Sequence, residues 1–99
     1  MRIEVTGTDS TTPQARAYAE YRLFATLARH TRAIRSVRVA LGHAGRGGSA
    51  ALCVVNVVLE PAGSARVRAQ GPHALGAIDR AAERIGDLMA RRSSESTSS

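Results

Sequence analysis

The chain opens on strict alternation, with Ile3 and Val5 apolar and Arg2, Glu4 and Thr6 polar. A period of two puts each set on its own face of a half-buried strand. Gly7 closes that strand, and Thr8-Asp9-Ser10-Thr11 reads as a polar turn. Thr12-Pro13 then has the chemistry of an N-cap followed by proline at the first helical position. The spacing predicts a helix from there to about His30, burying Ala15, Ala19, Leu23, Leu27 and His30 along one face. Ile34 continues the packing. Alternation returns from Ser36 to Leu41, with Val37, Val39 and Leu41 inward and Arg38 outward. The stretch Gly42 to Ser49 is too rich in glycine for a regular element and predicts a mobile hairpin loop. Ala51 to Leu59 is apolar except for Asn56, and its β-branched content predicts a central strand. Pro61-Ala62-Gly63-Ser64 turns the chain, and Ala65 to Gln70 alternates again with Arg66, Arg68 and Gln70 outward. Gly71-Pro72 stops that strand. A second helix is predicted from about His73 to Arg92, with Leu75, Ile78, Ala82, Ile85 and Met89 as its buried stripe.

The predicted order is β-α-β-β-β-α, an α+β fold. Each helix offers a single apolar stripe, so both can cover only one face of the sheet. The expected architecture is a two-layer sandwich, a four-stranded sheet with two helices on one face. Residues 1–92 form one domain in this reading. Residues 93–99 are Ser-rich without an apolar side chain and are expected to be a disordered tail.

Ninety-nine residues suffice for one core and leave little room for a deep substrate pocket. No apolar run approaches the roughly 20 residues that a membrane helix needs. The N-terminal alternation has no apolar signal region, which points to a cytoplasmic protein. Cys53 is the single cysteine, and one thiol builds neither a disulfide nor a zinc site. Charge changes the picture more. Fourteen basic residues, all arginine, stand against eight acidic ones, for a net charge of +6. A basic surface attracts phosphate and gains by releasing counterions, so the favoured partner is a nucleic acid.

Tyr18, Arg22, Ala25, Arg29 and Arg32 share a helical face flanking the core stripe. An aromatic ring for stacking beside guanidinium groups for phosphate is what RNA contact requires. The bland reading is a solvated face. On the second helix Arg80, Arg84 and Arg91 fall on one line with Arg92 beside it, although Arg84–Asp87 and Asp87–Arg91 have the spacing of ordinary helical ion pairs. The RNA-binding candidates are therefore Tyr18, Arg22, Arg29, Arg32, Arg80, Arg84, Arg91 and Arg92. Arg38, Arg66 and Arg68 belong to the uncovered sheet face and read as solubilising. For catalysis, His30, His43 and His73 have no carboxylate or thiol at motif spacing, and Cys53 lies inside an apolar strand where a thiol is inert. The expectation is no enzyme, no cofactor, no metal and no small-molecule substrate.

Several local strings carry a resemblance. Met1-Arg2-Ile3-Glu4-Val5-Thr6-Gly7, the pattern from Ala15 to Leu41, and Gln70-Gly71-Pro72-His73-Ala74-Leu75-Gly76-Ala77-Ile78-Asp79 are together similar to the ribosome hibernation-promoting factors. That family also includes the ribosome-associated inhibitors, light-repressed proteins and sigma-54 modulation proteins, and the resemblance is to its short form over residues 1–92. It implies a fold similar to double-stranded-RNA-binding domains. It also implies binding to small-subunit rRNA at the decoding region, where mRNA and tRNA would sit, silencing idle ribosomes under stress. Arg84 and Arg91 fall on basic positions of the family pattern. Leu23 and Thr26 stand where the family often carries lysine, and Asp87 where a basic residue is common. The alternative is a diverged paralogue acting as a protein-interaction or dimerisation module without ribosome binding. The free protein is expected to be a monomer.

Overall fold

The computed structural model describes residues 1–8, 11–44 and 50–98. The order is β1 (Arg2–Gly7), α1 (Pro13–Leu27), a 3-10 segment (Ala28–Ala33), β2 (Ile34–Ala44), β3 (Ala50–Leu59), β4 (Ser64–Gly71) and α2 (Ala74–Ser98). The strands form one sheet in the order β1-β2-β3-β4, with β1 parallel to β2 and the other pairs antiparallel. The expected α+β sandwich is what forms.

Local chemistry sets the first helix. The Thr12 hydroxyl accepts from the Ala15 N–H at 3.0 Å, and Pro13 follows in the first turn. Ala15, Ala19, Leu23 and Leu27 are buried as the periodicity requires. His30 is only half-buried, because the helix gives way after Leu27 to the 3-10 segment. Three residues per turn in place of 3.6 rotate His30, Arg29 and Arg32 away from their extrapolated positions. The tighter turn lets the chain enter β2, where the Ile34 N–H bonds the Thr31 carbonyl.

On α2 the buried stripe is Ala77, Ile78, Ala81, Ala82, Ile85 and Met89. Leu75 lies in the first turn on the flank of that stripe and is 44% exposed, against expectation. The helix also runs to Ser98, past the end predicted at Arg92 and into the segment expected to be disordered. Residues 93–98 contain no Gly or Pro to stop a helical turn, and serine is only mildly unfavourable there.

Odd-numbered residues of β3 from Ala51 to Leu59 are buried beneath the helices, with Val37 and Val39 of β2 beside them. The other face holds Leu52, Val54, Asn56 and Val58, with Arg38 and Arg66 opposite Asn56 and Arg68 opposite Val54. β2 and β3 pair as far as Ala44 and Ala50, so pairing begins inside the segment expected to be loop. Its remainder, and the Asp9-Ser10 part of the expected turn, lie outside the described residues.

The two layers touch most tightly where α2 begins. A Cβ added at Gly71 would stand 2.8 Å from the Ala77 nitrogen and 3.1 Å from the Gly76 carbonyl carbon, both backbone atoms that cannot swing aside. Gly71→Ala is therefore expected to destabilise the fold by about 1–3 kcal/mol, read from the urea midpoint. A wild-type midpoint would refute that close approach.

Candidate nucleic-acid interface

The eight sequence-predicted residues fall into three groups. Tyr18 and Arg22 lie in the seam between the helices. The Tyr18 hydroxyl donates to Asp79 Oδ1 at 2.5 Å, and Arg22 Nε donates to the same oxygen at 3.3 Å. Arg22 Nη1 also donates to Thr26 Oγ1 at 2.9 Å, whose hydroxyl donates to the Arg22 carbonyl at 2.8 Å. Spacing correctly placed these side chains on the flank of the core, but that flank faces α2. Close approach makes the seam possible: a Cβ at Gly86 would stand 2.9 Å from Thr26 Cγ2. The bond to Asp79 is the leading cause that raises the Tyr18 phenol above its ordinary value, with burial second.

Arg80 and Arg84 lean from α2 over the outer edge of β4. Arg84 Nη1 donates to the Arg68 carbonyl at 2.6 Å and Arg80 Nη1 to the Gln70 carbonyl at 2.9 Å. These carbonyls belong to the row of backbone acceptors that an edge strand leaves open. Part of each guanidinium is thus committed to the fold, and the rest remains exposed beside Arg66 and Arg68.

Arg29, Arg32, Arg91 and Arg92 are exposed, and their guanidinium groups make no hydrogen bond or ion pair to another described residue. Topology gathers most of them at one end of the molecule. The Glu60 N–H bonds the Ala33 carbonyl at 2.9 Å, joining the 3-10 segment to the β3–β4 turn. A Cβ on Gly63 of that turn would lie 3.9 Å from Arg92 Nη2. Gly63 has φ +103°, a conformation that glycine adopts without strain. Arg35 stands at the same end, at an irregularity of the β2–β3 register, and grips Glu60 through Nε at 2.8 Å and Nη2 at 3.4 Å. That grip holds the Glu60 carboxyl below its ordinary value.

Sequence reasoning missed two parts of this arrangement. Asp79 as the shared acceptor has no spacing signature at sequence separations of 57 and 61. The Arg35–Glu60 pair joins a strand start to a turn, again without a local pattern.

The described residues also contain a cleft of about 310 Å³ whose lining includes His43 and His73, with Thr11, Thr12, Leu41 and Ala51. Among the described residues no carboxylate or thiol lines it, and His73 Nδ1 accepts from the Gly76 N–H at 3.1 Å. No group of three or more metal-ligating side chains occurs among the described residues. Burial pushes the Cys53 thiol up to about 11, which removes thiolate at neutral pH.

Two measurements test this description. The fold favours the protonated Tyr18 phenol, so its contribution is complete below the ordinary tyrosine range and is lost as pH rises through the raised value. Alkaline absorbance titration should show a late-ionising phenol that disappears in Tyr18→Phe, while a titration curve with no late component in the wild type would contradict the seam. Asp79→Ala should lower stability by roughly 1 kcal/mol in urea denaturation; an unchanged midpoint would mean that Asp79 does not hold the helices together.

Neither a family model nor a curated protein sequence matches the chain. Solved structures do. A ribosomal subunit interface protein from Coxiella burnetii superimposes with a TM-score of 0.77 at 17% identity, over 95% of this chain and 99% of that one, which establishes the shared fold. The N-terminal domain of Thermus thermophilus Protein Y superimposes with a TM-score of 0.74 at 31% identity, over 92% of this chain and 98% of that one. At that identity, across nearly the whole of both chains, the likeness extends to sequence as well as fold, and the chain belongs to the ribosome hibernation-promoting factor family.

Proposed function

We propose that this protein is a cytoplasmic ribosome-associated translation inhibitor that binds small-subunit rRNA at the decoding region. Its seat there would exclude mRNA and tRNA sterically and keep idle ribosomes silent under stress. The observation that carries the reading is the group formed by Arg29, Arg32, Arg91 and Arg92, exposed cations with no carboxylate partner among the described residues. Such guanidinium groups are available to grip phosphate bidentately. The family's ribosomal association supports the choice of RNA.

Within this reading the eight candidates divide by role. Arg29, Arg32, Arg91 and Arg92 would make the phosphate contacts. Arg80 and Arg84, anchored on β4 carbonyls, would offer their remaining donors with less conformational freedom to lose. Tyr18 and Arg22 would act indirectly, by holding α1 against α2. No helix among the described residues is long and apolar enough to cross a membrane.

Co-sedimentation with isolated small subunits and whole ribosomes tests the proposal. Binding should be stoichiometric, displaced by mRNA with initiator tRNA, and weakened by salt. Log affinity should fall by about 0.7–0.9 per decade of salt for each phosphate contact. Combining Arg29→Glu with Arg32→Glu, or Arg91→Glu with Arg92→Glu, should reduce affinity at least about tenfold with unchanged circular dichroism. No sedimentation at low salt would overturn the ribosomal reading. Binding that ignores all four substitutions would overturn the residue assignment.

A further inference from the structure

The two edges of the sheet differ. β4 has two of its edge carbonyls bonded by Arg80 and Arg84. Along β1, at the opposite edge, no described side chain from elsewhere bonds the outer backbone. The chain has three Phe and Tyr side chains, and two of them, Tyr21 and Phe24, stand 69% and 56% exposed on the α1 flank next to this edge. They line a groove of about 450 Å³ with Met1 and Ile3 of the β1 side and Ala17 and Glu20 of α1. An open strand edge beside an exposed apolar groove is a site for adding a strand.

The composition of β1 selects the strand that fits. Two copies of β1 can pair antiparallel about a two-fold axis, and keeping the helices of both on one side requires like faces to align. A register centred on Glu4 sets Glu4 opposite its own copy, and one centred on Arg2 sets Arg2 opposite its copy, both repulsive. Centring on Val5 leaves Glu4 opposite Thr6, with no charge matched. Centring on Ile3 sets Arg2 of each chain opposite Glu4 of the other on the uncovered face, twice by symmetry; Glu4 also lies 3.7 Å from Arg38 Nε of its own chain, an exposed contact that leaves its second oxygen open to Arg2. It also sets Ile3 against Ile3 and Met1 against Val5 on the helical face. Ile3 lines the groove, so this axis brings the two grooves together and covers Tyr21 and Phe24.

We propose that β1 and the groove beside it form a self-association surface through which two copies of this chain join their sheets across an Ile3-centred two-fold axis. The free protein is then a dimer at sufficient concentration, where the sequence alone suggested a monomer.

The test is mass in solution, by sedimentation equilibrium from about 1 μM to about 1 mM of the full chain. Wild type should move from monomer towards twice that mass. Phe24→Glu and Tyr21→Glu should each abolish the rise while keeping the native circular dichroism, since both positions are exposed. Arg2→Glu and Glu4→Arg should each weaken self-association about tenfold, because every reversed charge acts at two symmetric places. Mixed in equal amounts, however, those two variants should associate, one presenting acid at both positions and the other base at both. That rescue distinguishes pairing in the proposed register from general damage. A wild type monomeric throughout would overturn the proposal, whether or not a foreign peptide or RNA can use the groove. Dimers insensitive to Phe24→Glu, or a mixture that fails to associate, would overturn this interface and this register respectively.

Discussion

Both helices bury a narrow stripe in which alanine supplies much of the surface, Ala15 and Ala19 on α1 and Ala77, Ala81 and Ala82 on α2. Small side chains contribute little apolar area each, so the stripes stabilise only through close approach to one another and to a single sheet face. Everything else follows from that constraint. Both helices must share a face, the other face of β3 must stay uncovered, and the helices must meet along a seam too tight for an extra methyl group at Gly86. Into the seam go Tyr18, Arg22 and Asp79, whose hydrogen bonds offset the cost of bringing polar groups to a half-buried junction.

One residue type consequently serves several mechanical ends. Arg22 is spent between helices, Arg80 and Arg84 on the backbone of an edge strand, and Arg35 on Glu60. What remains of the +6 charge for an outside partner is concentrated in arginines with no such commitment, notably around the junction of the 3-10 segment, the β3–β4 turn and α2. Electrostatic attraction does not depend on which guanidinium supplies it, since each exposed cation adds to the field at the surface. Orientation does depend on it. An arginine already anchored by one bond has fewer rotamers to lose when it grips phosphate.

Period-two and period-3.6 patterns make the strands, their inward faces and most of both helical stripes legible in the sequence, because burial on one face imposes those periods directly. The misses have physical causes. His30 follows an extrapolated α-helix that instead tightens into a 3-10 turn ahead of β2, which leaves it half-buried. Leu75 matched the heptad spacing yet sits on the flank of a stripe completed by Ala77 and Ala81, which hydrophobicity ranks below leucine. The arginine stripes were visible as stripes. Their division into seam, edge and exposed groups was not, because a backbone carbonyl as acceptor leaves no mark in the sequence. The groove beside β1 was equally hidden: Tyr21 and Phe24 become conspicuous only when the structure leaves them uncovered.

The contrast between the two sheet edges bears on how a protein of this charge avoids indiscriminate association. Long charged side chains on an edge strand's carbonyls block the pairing of a foreign strand there, and Arg80 and Arg84 apply that device to β4. At β1 the control is selectivity instead. Alternating Arg2 and Glu4 make most self-registers repulsive or neutral while leaving one with matched charges, so the edge discriminates by register. Net repulsion between two chains of charge +6 opposes association weakly, because physiological salt screens charges beyond about 8 Å. Contacts closer than that distance decide whether two copies meet. At this edge they are Ile3, Tyr21, Phe24 and the Arg2–Glu4 pairs, apolar or of opposite sign, so the same molecule can repel its copies elsewhere on the surface and accept one here.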